Sequence, residues 1–276
     1  MNTRIQLDQA REFHEQKRYQ EALEISKTIL EGDNSNAECW WIIARAAISL
    51  DKIGESLGAL EKVVDLVPGF SAGWSTYAAV LREDGQKERA LEALSRAIYL
   101  DPEEAGFYRM AVSICSEIND YDGVIHHSIK LDATGKLEGT DLNQLGVAYW
   151  EKKYFGKAIE SYRRSASLTK STAPYFNLAL VYSHAEVSQD ADAIDSLKRA
   201  LLIDSNYDHA LKMLKVIGTR LEGLSQNVYK VGSIVLQKND YFQFYLNPFE
   251  LLGFDNNSKL NEIEAKSIQK LKKRLM

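Results

Sequence analysis

The sequence predicts an all-α chain built as a curved solenoid of antiparallel helix pairs. Three observations carry this. Apolar residues recur at i, i+3, i+4 and i+7 in successive stretches, which is one face of a helix. The pattern returns with a period of 34 residues, and self-similarity at such a period marks stacked repeats. Only 4 of the 276 residues are proline, which suits a mostly helical chain because proline breaks helix interiors.

Residues 71–104 show the unit most clearly. Trp74, Tyr77, Ala78 and Leu81 share one face of a first helix, and Gly85 breaks the polar segment 82–88. Ala90, Leu94 and Ala97 share one face of a second helix, closed by Asp101-Pro102. One period earlier, Trp40, Ile43, Ala44 and Ala47 form a first helix, Leu60 and Val63 a second, and Pro68 ends the unit. Later, Leu142, Leu145, Gly146 and Tyr149 are followed by Ala158, Tyr162 and Ala166. Tyr175, Leu178, Ala179 and Tyr182 then precede Ala193, Leu197 and Ala200, with about two extra residues around 187–190. Small residues (Ala44, Ala78, Gly146, Ala179) let paired helices approach. Large ones (Trp40, Trp74, Tyr149, Tyr182) fill the space toward the next pair, and stacking makes one continuous core.

At these residues the sequence resembles the tetratricopeptide repeat family. The resemblance is good over 37–68, 71–104, 139–169 and 172–204. It is weaker over 3–34, where Phe13 and Ala22 fit but Gln6 replaces a large apolar residue. It is also weaker over 105–132, where Cys115 and Val124 stand in for Tyr and Ala. It implies a right-handed superhelical solenoid whose first helices line a concave groove. Segment 133–139, with two glycines, reads as a joint between half-arrays, and residues 209–236 as a capping helix pair. Residues 1–239 thus form the array and 240–276 a separate C-terminal helical extension.

In that extension, residues 241–254 read YFQFYLNPFELLGF, dense in aromatics. Pro248 suits a first helical position, Gly253 a stop, and a basic amphipathic helix carrying Lys266, Lys270, Lys272, Lys273 and Arg274 follows. The run resembles the first two helices of a J-domain, the Hsp70-stimulating module, without its His-Pro-Asp loop. The alternatives are a helical hairpin used for docking or a cap on the last repeat. Tyr241, Phe242, Phe244, Tyr245 and Phe249 are the candidate docking and self-association surface.

Composition limits the function classes. The formal net charge is -5 and 26% of residues are charged, so nothing points to nucleic acid. The N-terminal residues are polar, and no run of about 18 apolar residues could span a membrane. Cys39 and Cys115 fall in different repeats, as expected of a reducing, cytoplasmic setting. No phosphate loop, paired-cysteine motif or metal-ligand spacing is present, so no cofactor, metal or enzymatic activity is expected. His126 and His127 point about 100° apart on a helix and poorly suit one ion.

The resemblance places partner-binding residues on the groove faces of the first helices. Those singled out are Arg11, Trp41, Arg45, Arg82, Arg109, Asn143, Trp150 and Phe176. Arginine forks match carboxylates, and Trp and Arg are frequent binding hot spots. The expected ligand is a protein or peptide with acidic and apolar residues, held by a non-catalytic scaffold or adaptor. Some family members grip a C-terminal carboxylate with Lys and Asn residues. Asn177 sits at one such place, but Leu7 and Arg11 occupy the first clamp positions, so the Hsp70/Hsp90 tail-binding mode is not expected. The alternatives are a co-chaperone using the J-like tail and an RNA-binding helical repeat.

Overall fold

The structure, a computed structural model, describes residues 3–230, with side chains as far as Leu221. Among the described residues there are thirteen helices and no strand. The chain divides between Leu137 and Glu138, inside the segment expected as a joint.

The first unit holds α1 (Thr3–Glu15), α2 (Tyr19–Gly32), α3 (Ala37–Ser49), α4 (Ile53–Leu66), α5 (Ser71–Glu83), α6 (Lys87–Leu100), α7 (Ala105–Glu117) and α8 (Tyr121–Ala133). The second holds α9 (Gly139–Glu151), α10 (Phe155–Leu168), α11 (Thr172–Tyr182), α12 (Asp190–Ile203) and α13 (Asp208–Lys230). Within each unit, consecutive helices pack as pairs and the pairs stack, as in a tetratricopeptide repeat solenoid.

The core follows the repeat. Ala44, Leu60, Ala78, Ala90, Leu94 and Ala97 are sealed from solvent in one cluster. Each such leucine contributes roughly 2–3 kcal/mol by leaving water. The weaker units fold into the same frame. Cys115 and Val124 are buried at the positions expected of Tyr and Ala, and Ala10 packs with Leu7 and Phe13. Across each pair, one position of the first helix and one of the second trade volume. Ala44 and Leu60, and Ala78 and Leu94, are the common choice, Val112 accompanies Ser128, and Gly146 accompanies Tyr162.

Two further features keep the 34-residue register. The tight turn inside each of the first five pairs has one residue with left-handed backbone: Lys17, Asp51, Gly85, Asn119 and Lys153. Such a conformation reverses the chain in few residues but strains side chains other than glycine. The entry to three first helices is tied by an aromatic donor. Trp40 Nε1 donates to the Asn34 carbonyl at 2.9 Å, Trp74 Nε1 to that of Pro68 at 2.9 Å, and Tyr108 Oη to that of Pro102 at 3.1 Å.

From α11 to α12 the spacing of helix starts is two residues longer than in the other pairs, as the sequence suggested. Residues 208–230 form one continuous helix, and the remainder of the expected capping pair, 231–236, lies outside the described residues. The tail hairpin lies outside the described residues, as do Tyr241, Phe242, Phe244, Tyr245 and Phe249.

Candidate partner-binding surface

In the first unit, α1, α3, α5 and α7 lie side by side, so residues about one period apart meet across neighbouring helices. Arg11 makes a two-pronged contact with Glu38, Nε to Oε1 at 2.5 Å and Nη2 to Oε2 at 2.7 Å, and its Nη1 donates to Asp8 at 2.8 Å. Arg82 Nε donates to Glu117 Oε1 at 2.8 Å and Nη2 to Ser113 Oγ at 2.9 Å. Lys87 approaches the other Glu117 oxygen at 3.1 Å. Arg82, helped by Lys87, holds the Glu117 carboxyl below the usual carboxylate range. Arg109 Nη2 donates to the Lys136 carbonyl at 2.5 Å.

Arg45 is different. It is exposed, forms no ion pair among the described residues, and stands over the Trp41 ring at 6.0 Å. Trp41 is half-buried and meets Phe70 edge-on at 5.0 Å, which fixes the indole. Burial, with the charge of Arg45 beside it, keeps the His14 imidazole below its ordinary pKa. Of the four arginines expected to meet an acidic ligand, Arg11 and Arg82 are therefore already matched by carboxylates of the same chain. Arg45 has no such carboxylate partner among the described residues.

The candidate residues on the second unit's first helices are uncharged. Asn143 on α9 and Asn177 on α11, one period apart, are joined by Asn177 Nδ2 donating to Asn143 Oδ1 at 3.0 Å. Each amide has more capacity than that single bond uses. Val147 (36% exposed) and Leu180 (39%) lie on the same two helices. Trp150 packs edge-on to His184 at 5.1 Å and tilted to Phe155 at 5.4 Å. Phe176 meets Tyr207 at 5.6 Å and His209 at 5.8 Å.

All eight candidates thus lie on first helices. Trp41 joins Arg45 and Asn143 joins Asn177, while Trp150 and Phe176 belong to separate clusters. Sequence reasoning missed Glu38, Glu117, Phe70 and His184, although opposite charges about one period apart were a usable signal. His126 and His127 meet edge-on at 5.1 Å, and no group of three or more His, Cys, Asp or Glu among the described residues could hold a metal. No helix among the described residues is long and apolar enough to cross a membrane.

The family model for the tetratricopeptide repeat matches residues 142–172, which cover most of α9, all of α10 and the entry to α11. The chain has the tetratricopeptide repeat fold, and residues 142–172 match one repeat of that family. Its solved neighbours include the C-terminal part of a tetratricopeptide repeat-containing protein from Cytophaga hutchinsonii. That structure aligns over 92% of this chain and 96% of its own, with TM-score 0.63 and 15% identity. YrrB, a tetratricopeptide repeat protein with an unusual peptide-binding site, aligns over 69% of this chain and 97% of its own, with TM-score 0.59 and 12% identity. At these identities the likeness shows the fold. Among curated proteins, anaphase-promoting complex subunit CDC16 of Saccharomyces cerevisiae is 26% identical over 156 residues, covering 54% of this repeat protein but only 18% of that subunit. These comparisons give no support to the J-type resemblance of the tail.

Proposed function

We propose that this repeat protein is a non-catalytic scaffold that holds a peptide segment of a partner protein on the first-helix faces of its repeats. The observation that carries this is the second unit's face. Two linked amides with spare donors and acceptors stand one turn from exposed Val147 and Leu180. Side-chain amides satisfy an extended peptide backbone, and flanking apolar surface takes its side chains. In the first unit, the uncommitted Arg45 beside Trp41 adds a place for one carboxylate. The ligand is accordingly mainly apolar and only lightly acidic, because Arg11 and Arg82 are internally neutralised. The peptide-binding site of YrrB and the place of CDC16 in a multi-subunit complex support this use of the fold.

The test is affinity capture from native lysate with three full-length baits: wild type, Arg45→Glu, and Asn143→Ala/Asn177→Ala. The expected result is a protein recovered by wild type and lost at least in part by each variant. Equal recovery by all three baits refutes the proposal. Single reversal of Arg45 is a cleaner probe than reversal of Arg82 or Arg109, whose own contacts help hold the fold.

A further inference from the structure

A second surface lies along α6, away from the first-helix faces. Trp74, Tyr77 and Leu81 of α5 line an open cleft of about 660 Å³ together with Arg89, Arg96 and Tyr99 of α6. A smaller lobe of about 390 Å³ adjoins it, reaching Val64, Asp65, Pro68 and Leu100 and sharing Trp74, Arg96 and Tyr99, so that one carboxylate stands on the α4 side of the cleft. Ligand sites commonly fall in this size range.

Its side chains are set for recognition. The Trp74 indole is pinned by its bond to the Pro68 carbonyl. Arg89 is braced by Tyr77 Oη at 2.9 Å and by Gln86. Arg96 is exposed and forms no ion pair or hydrogen bond among the described residues. Tyr99 is 80% exposed, the largest value among the exposed large apolar side chains described. In the neighbouring repeats its register position holds Asp65 and Ala133, so the repeat frame does not require an aromatic there.

Arg89 and Arg96 are seven residues apart, two helical turns, so they lie on one side of α6 about 10 Å apart. Glu92, one turn on from Arg89, disfavours a third carboxylate between them. A helix laid along α6 presents this complement when it carries carboxylates at i and i+7 and apolar residues at i+3 and i+4. From the paired guanidinium groups, their spacing and the exposed ring, we propose that the α6 cleft binds an acidic amphipathic helix of a partner protein, independently of the first-helix faces.

The experiment is a display library of helical peptides randomised on one face, panned against the full-length Arg45→Glu chain. That bait suppresses capture by the first-helix face of the first unit. Enriched peptides are expected to carry carboxylates at i and i+7. They should lose at least tenfold in affinity toward Arg96→Glu and toward Tyr99→Ser, both exposed changes whose folding far-UV circular dichroism checks. Absence of enrichment, enriched peptides without the acid pair, or binding indifferent to both variants overturns the proposal. Peptides lost instead with Asn143→Ala/Asn177→Ala would favour the first-helix face and also overturn it. A wild-type dimer in sedimentation equilibrium that Arg96→Glu dissociates would give the cleft to a second copy, again overturning it.

Discussion

Gly146 is the position where the packing can be tested most sharply. A Cβ there would stand 2.5 Å from Tyr162 Cε1 and 2.6 Å from Cδ1, where ordinary contact needs well over 3 Å. The ring is 2% exposed and cannot swing into solvent. Replacing a helix glycine with alanine gains about 1 kcal/mol of helix propensity. Forcing an extra carbon into a filled core costs about 1–3 kcal/mol. The clash wins, so Gly146→Ala is expected to destabilise the protein by about 1 kcal/mol. Two other repeats supply the remedy, because Ala44 with Leu60 and Ala78 with Leu94 stand where this one has Gly with Tyr. Gly146→Ala/Tyr162→Leu recreates the Ala78–Leu94 pair, so the double variant should be more stable than the two single effects predict, by a coupling of about 1 kcal/mol or more. The control is Gly58→Ala in α4, exposed and with no atom within 4 Å, which should stabilise by about 0.5–1 kcal/mol. Guanidinium unfolding followed by far-UV circular dichroism measures wild type and the four variants, the Tyr162→Leu single included. If Gly146→Ala stabilises as Gly58→Ala does, or if the coupling is zero, the volume-trading account is wrong.

Three other outcomes follow from the same structure. Because Arg82 depresses the Glu117 pKa, the stabilisation from this pair is complete above the unfolded carboxyl value near 4.3 and disappears as pH falls through the lower folded value. In Arg82→Gln, the Glu117 titration followed by NMR should move up, and an unchanged titration would count against the pair. The pair is partly exposed, so its removal should cost only about 0–1 kcal/mol. Burial pushes the Cys39 and Cys115 thiols up to about 11, so both should resist an aromatic disulfide reagent at pH 8 until denaturant is added. Burial, with His126 adjacent, holds the His127 pKa below 6.5, and its Nδ1 is buried with no hydrogen-bond partner among the described residues. The folded state therefore binds this proton less readily than the unfolded chain. Stability should be full above about pH 6.5 and fall as pH drops below it. His127→Gln should flatten that slope in urea midpoints measured between pH 7 and pH 5.

The helix pairs were legible because periodicity is a property of spacing alone. Even where residue types departed, as at Cys115 and Val124, the 34-residue register left no other place for those side chains than the core. The inner turns were less legible. Gly85 announces a left-handed residue, but Lys17, Asp51, Asn119 and Lys153 adopt the same conformation with no glycine to signal it. There the packing of the two helices overrides local preference. The first-helix faces were located by register, yet their electrostatics were not. Whether Arg11 or Arg45 keeps its charge for a partner depends on a carboxylate within reach, Glu38 in one case and none among the described residues in the other. That is decided by side-chain direction across two helices, which spacing along one helix does not encode.

The division between Leu137 and Glu138 also sorts the chromophores. Of the chain's 4 tryptophans, Trp40, Trp41 and Trp74 belong to the first unit and Trp150 to the second. Intrinsic emission excited at the indole band is therefore weighted toward one half of the molecule. A Trp150→Phe chain reports on the first half alone, and a chain keeping only Trp150 reports on the second. With no added label, the pair of proteins shows whether the two halves melt in one step or in two, and which of them loosens first.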